Sequence, residues 1–141
     1  MKSKKTENGY VLVLERGEKV IATMTDFCVK EGIQSGFFQA IGAIKNTEIG
    51  YYSLEKKEYF FKVFPEDREV ASMTGNIALV ENKPFMHAHA VLSASDQGLT
   101  CVGGHVKEAE VAVTLEVFLT PLTSALERKH DDQIGLKLLN V

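Results

Sequence analysis

One change of rhythm constrains this chain more than any other feature. Val20, Ile21, Met24, Phe27 and Cys28 recur at the spacing of a single helical stripe. After Gly32 that period does not return. The chain continues in short runs of β-branched and aromatic residues, broken by turn residues. The spacing predicts one amphipathic helix over residues 18–31, with Gly32 as its C-cap. Strands are expected over 10–14, 37–44, 47–54, 58–64, 68–80 (one long strand, or two bent at Gly75-Asn76), 84–94, 99–106 and 113–119. Residues 107–111 read as a short helical turn, and 134–139 as a last apolar run in a polar tail. Strands this close in sequence pair mainly antiparallel. The expectation is an α+β domain: a central, mainly antiparallel sheet of about seven strands with one main helix packed on it.

Size and composition fit that outcome. A chain of 141 residues with 45% hydrophobic and 25% charged residues matches one globular domain and can bury a core without disulfides or metal. Residues 1–9 are Lys-rich and polar and are expected to be a disordered tail, leaving 10–141 as the domain. No signal-peptide pattern follows them, and no apolar run nears the roughly 20 residues that span a bilayer. The expected location is cytoplasmic. The net charge of −3 argues against a dedicated non-specific nucleic-acid binder. Cys28 and Cys101 both sit in apolar context and read as buried thiols.

Chemistry concentrates in the histidines. His87 and His89 stand in Phe85-Met86-His87-Ala88-His89-Ala90, and residues two apart on a strand share a face. His105 follows sixteen residues after His89, in Val102-Gly103-Gly104-His105. A hairpin through residues 95–98 would return it beside the pair. Three neutral imidazoles with an open position suit a divalent transition metal, zinc first. Hairpin parity decides the outcome. A plain two-residue turn at Asp96-Gln97 sets His105 opposite Ala88, facing away, whereas one extra residue sets it across from His87 or His89. Gly98 or Gly103-Gly104 could supply that residue. Gly103 and Gly104, as a loop near the metal, could also admit a ligand or a second backbone. The competing reading is three satisfied histidines in a half-buried sheet. His130 reads as solvated.

No phosphate loop or nucleophile elbow is present. Glu48, Glu69, Glu108 and Glu116 are the acids that could serve a metal centre as a base, and Arg68 could hold a substrate carboxylate. For each, a solvated surface charge is the simpler reading. The aromatics Tyr51, Tyr52, Tyr59, Phe60 and Phe61 could stack bases, or form core or subunit interface.

Several segments together resemble the PPC (plant and prokaryote conserved) domain. They are Phe27-Cys28-Val29-Lys30-Glu31-Gly32-Ile33, Ser35-Gly36-Phe37-Phe38-Gln39-Ala40-Ile41-Gly42-Ala43, Ile49-Gly50-Tyr51-Tyr52, Ser72-Met73-Thr74-Gly75-Asn76-Ile77, Lys83-Pro84-Phe85-Met86-His87-Ala88-His89 and Val102-Gly103-Gly104-His105. The resemblance spans about residues 10–141. It implies an α+β fold, similar to that of acetolactate decarboxylase, assembled as a homotrimer. It also implies a metal on His87, His89 and His105, and either a small-molecule role, catalytic or sensing, or DNA binding of a regulatory kind. Plant members carry AT-hooks. This chain has no Arg-Gly-Arg-Pro hook, and it has Glu66-Asp67-Arg68-Glu69 where plant members tend to have Gly-Arg-Phe-Glu.

Overall fold

The computed structural model describes every residue except Ser95 and Gln97. The predicted helix is α1 (Val20–Glu31), and its stripe buries Val20, Met24, Phe27 and Cys28. Gly32 ends it at φ 68°, where a side chain would strain the backbone. The preceding residue, Lys19, makes no side-chain cap. A distant residue does that work: the Glu108 carboxylate accepts the N–H groups of Ile21 (2.8 Å) and Ala22 (3.2 Å). An acid there also complements the helix dipole.

The described residues form nine strands: β1 (Lys2–Thr6), β2 (Gly9–Glu15), β3 (Gly36–Ser53), β4 (Glu58–Phe64), β5 (Arg68–Val80), β6 (Lys83–Ala94), β7 (Cys101–Pro121), β8 (Glu127–Asp131) and β9 (Leu136–Asn140). The sheet is mixed rather than wholly antiparallel, because β8 meets β5 in a parallel pairing of Leu79 with Glu127. The expected seven strands differ from these nine for identifiable reasons. Residues 37–44 and 47–54 are one strand, β3, carried through register shifts rather than ended by Gly42. Residues 99–119 likewise merge into β7. The expected helical turn at 107–111 is strand, because Glu110 and Val111 find ladder partners in Lys45 and Ile44.

The two ends of the chain add the rest. Residues 1–9 are not a disordered tail: β1 pairs with β2 from Lys2↔Val13 to Thr6↔Gly9. Backbone hydrogen bonding prevails over the polar composition there. The polar C-terminal tail folds as the β8–β9 hairpin. Its turn is closed by the Asp131 carboxylate, which accepts the N–H groups of Gln133 and Ile134 (both 2.9 Å).

Four long strands close a circuit of pairings: β3 with β5, β5 with β6, β6 with β7, and β7 with β3. Their alternation sorts side chains in two. One face joins α1 in a single core of Leu12, Leu14, Phe38, Ile44, Met73, Ile77, Leu92, Val106 and Leu115 among others. Cys28 is buried in that core, which pushes its thiol up to about 12. Cys101, at the start of β7, is exposed rather than buried. Arg68, expected at the surface, is buried; it pairs with Glu66 and lies over the Phe64 ring at 4.6 Å.

Glu108 carries a direct test of how α1 is held. Glu108→Gln keeps the size but removes the charge on two N-terminal N–H groups. It should lower stability by about 1 kcal/mol, read as a reduced midpoint in urea unfolding. Glu116→Gln, an exposed control on the same strand, should leave it unchanged.

Candidate metal centre

The site follows from the alternation of β6. Met86, Ala88, Ala90 and Leu92 are buried, so His87, His89 and Val91 must point to the other face. β7 lies beside β6 with His89 opposite His105 and Ala88 opposite Val106. That is the parity that brings the third histidine onto the same face. The extra residue is not in the strands: the β6–β7 ladder runs without a shift from Ser93↔Cys101 to Ala88↔Val106. It lies in the connection, where Ala94 N–H bonds Thr100 O (2.9 Å) and Leu99 takes a left-handed φ of 46°. Of the turn expected at 95–98, Ser95 and Gln97 lie outside the described residues.

Gly103 and Gly104 are not a loop; both lie within β7. Gly104 serves close backbone approach. A Cβ there would stand 2.5 Å from the Gly50 carbonyl oxygen, on the strand that pairs with His105.

The three imidazoles converge. One ring nitrogen from each lies within 4.8 Å of the other two. The ring centroids are 5.0 Å (His87–His89), 5.1 Å (His87–His105) and 5.5 Å (His89–His105) apart. His89 is exposed, while His87 and His105 are half-buried. Tyr59 packs against His105 at 4.9 Å between centroids. His105 Nδ1 is buried and has no hydrogen-bond partner.

Sequence reasoning missed Arg128. It stands on β8, read from sequence as a solvated tail. Its NH2 group donates to Asn76 Oδ1 (2.6 Å) and lies 3.2 Å from His87 Nδ1, and its NH1 group donates to Lys137 O (3.2 Å). A guanidinium has no acceptor. The contact with His87 therefore places a lone pair on Nδ1 and the proton on Nε2, which lies 3.2 Å from His89 Nε2. Burial pushes His87 down to about 4, helped by Arg128, His105 and His89 in that order. Burial likewise lowers His105, with His89 and Arg128 adding to it. Both rings are thus neutral at pH 7, the form that binds a metal.

None of the acids considered from sequence reaches the triad. Glu108 caps α1, Glu48 pairs with Lys107 (2.8 Å), and Glu69 and Glu116 are exposed on β5 and β7. His130 is solvent-exposed, 3.4 Å from Asp132. The cavities that touch the histidines are lined by no Asp or Glu among the described residues. The donor set nonetheless fits a transition metal: neutral imidazoles, convergent nitrogens and one orphaned buried ring atom.

The metal-free protein carries a sign that can be checked. The folded pKa of His87 lies below its ordinary value near 6.5. Between pH 6.5 and about 4 the unfolded chain therefore binds the extra proton first. Stability of the metal-free protein should be complete above that window and fall as pH drops through it. His87→Gln should flatten the decline between pH 7.5 and 5 in thermal unfolding.

Comparison with known proteins places the chain. The profile of the Plants and Prokaryotes Conserved (PCC) domain matches residues 1–123. No curated protein matches. A metal-containing protein from Archaeoglobus fulgidus is 38% identical, with a TM-score of 0.87, and the match covers 100% of both chains. A plant- and prokaryote-conserved protein from Pyrococcus horikoshii is 35% identical, with a TM-score of 0.86, over 94% of this chain and 90% of that one. A candidate DNA-binding protein from Ralstonia eutropha is 30% identical, with a TM-score of 0.90, over 99% and 96%. With its strands, its helix and its His-x-His and Gly-Gly-His segments in place, the chain belongs to the plant and prokaryote conserved domain family.

Proposed function

We propose that this protein holds a divalent transition metal, zinc first, on His87, His89 and His105, and uses the site to transform or sense a small molecule. The convergence of three ring nitrogens within 4.8 Å carries this reading. The metal-containing relative from Archaeoglobus fulgidus supports it. Bound there, such an ion supplies a Lewis acid for a carbonyl or carboxylate oxygen, or an activated water. The chain's own residues favour the first use, because among the described residues the cavities beside the histidines offer no carboxylate to act as general base. Tyr59 closes one side of His105 and limits solvent there.

A homotrimer is part of the same proposal. Phe37, Ile41 and Phe118 are 50%, 57% and 60% exposed, and they lie close together on the face that carries the histidines. Val91 is 44% exposed on that face. A cluster of this kind supports packing against further copies. In a cytoplasmic setting the cysteines would stay reduced. A DNA-associated regulatory role is the second reading, supported by the description of the Ralstonia eutropha relative. Steep weakening with rising salt is the behaviour that would separate it from small-molecule binding.

Elemental analysis of untagged protein purified without chelator tests the metal. About one zinc or related ion per chain is expected, and none in His105→Ala. An equal metal content in the two would overturn the assignment. Light scattering tests assembly: the expected mass is three times 15.6 kDa, and a monomer would remove the trimer.

A further inference from the structure

A cavity of about 320 Å³ opens beside His87 and His105, and His89, the third of the triad, does not line it. Its walls are Val80, Phe85, Leu136 and Leu138, with Tyr59 at one side. Its polar groups are the two imidazoles, Arg128 and Lys137. Lys137 already has a counter-charge, in Glu81 at 2.5 Å. Arg128 has none. Its three hydrogen bonds go to an amide oxygen, a carbonyl and an imidazole nitrogen. Its Nε is buried without a partner. The guanidinium is held over the Phe85 ring at 5.6 Å, in a position where burial disfavours its charge.

A half-buried cation held only by neutral groups is an incomplete arrangement. A divalent ion on three neutral imidazoles beside it would make the deficit of negative charge larger. Neither the cavity nor its neighbours around the histidines supply an acid to correct it. Among the described residues that negative charge is missing, and a ligand can bring it.

The contact between Arg128 and His87 depends on the tautomer of that ring. Its N–H on His87 Nδ1 requires the proton on Nε2. An ion held on Nε2 would require the proton on Nδ1, and the imidazole would then no longer accept from Arg128. The guanidinium would then have a further free N–H beside the cavity.

We infer that Arg128 is the carboxylate-binding residue of this site, and that the ligand is a small 2-oxo or 2-hydroxy carboxylic acid. Its carboxylate pairs with Arg128, its second oxygen faces the three histidines, and its short apolar chain lies against Val80, Phe85, Leu136 and Leu138. Arginine suits a carboxylate by its planar fork, and the apolar walls favour an acid over inorganic phosphate. Asn76 and the Lys137 carbonyl orient the guanidinium. Arg128 lies outside the residues 1–123 that match the family profile, so the inference concerns this chain's own C-terminal hairpin. It rests on the metal reading for the second oxygen, but not for the carboxylate.

The test is calorimetric titration of 2-oxobutyrate into the full chain, zinc-loaded and metal-free, for wild type, Arg128→Met and Leu138→Glu. Zinc content and thermal midpoint are measured on each. The zinc-loaded wild type should bind the acid, and Arg128→Met should bind it at least about ten-fold more weakly while keeping its zinc. Leu138→Glu leaves Arg128 in place and sets a negative charge on the cavity wall; it should lose the acid to a similar degree. If Arg128→Met does not fold, Leu138→Glu decides. Equal affinity in wild type and the folded variants overturns the inference. So does phosphate binding as tightly as 2-oxobutyrate, or no acid binding by zinc-loaded wild type in the millimolar range. Wild type that takes up no zinc fails the metal reading alone. Arg128 is then judged by the same comparison on the metal-free protein.

Discussion

Everything at the candidate site depends on one strand being held from both sides. β6 pairs with β5 along nearly its whole length and with β7 along half of it. A strand so fixed cannot slip by one residue without turning every side chain to the other face. Burial of Met86, Ala88, Ala90 and Leu92 therefore does more than stabilise the sheet. Removing these residues from water, at about 25 cal/mol per Å² of apolar surface, is the force that presents His87 and His89 outward. The functional face is the complement of the core.

The same division explains what could be read before the fold was known. The α1 stripe and Gly32 were visible because a 3.6-residue period and a glycine stop are local signals. The His-x-His face was visible because period two is local as well. The side on which His105 falls was not, because it turns on one residue in the connection, with Leu99 in a left-handed conformation that leucine seldom adopts. The merging of 99–119 into β7 escaped notice for a related reason. Glu108 and Glu110 break the apolar alternation, yet one caps a helix 87 residues away and the other pairs with Lys45. Arg128 was invisible for a third reason: its neighbours in sequence are polar, and only the pairing of β8 with β5 brings it beside Asn76 and His87.

The site thus has parts of different origin in the chain. The histidines belong to the four-strand circuit and are fixed by ladder geometry. Arg128 belongs to the C-terminal hairpin, joined to that circuit by the β5–β8 pairing, by Leu79 N–H on Leu126 O (2.8 Å), and by Tyr52 OH on Ile134 O (2.7 Å). Side-chain and single-bridge contacts of this kind yield more readily than a paired ladder. The histidines are thus held by paired ladders, and Arg128 by fewer and weaker ties.

The connection between β6 and β7 has a consequence for how this gene can vary. Surface turns ordinarily absorb insertions and deletions with little effect. Here the turn sets parity. Loss or gain of one codon between Ala94 and Thr100 that moved the β6–β7 ladder by one step would turn His105 away from His87 and His89 and carry the buried Val106 out of the core with it. Changes of two codons would preserve the face. One register thereby serves two ends, and the count that buries the core is the count that assembles the site.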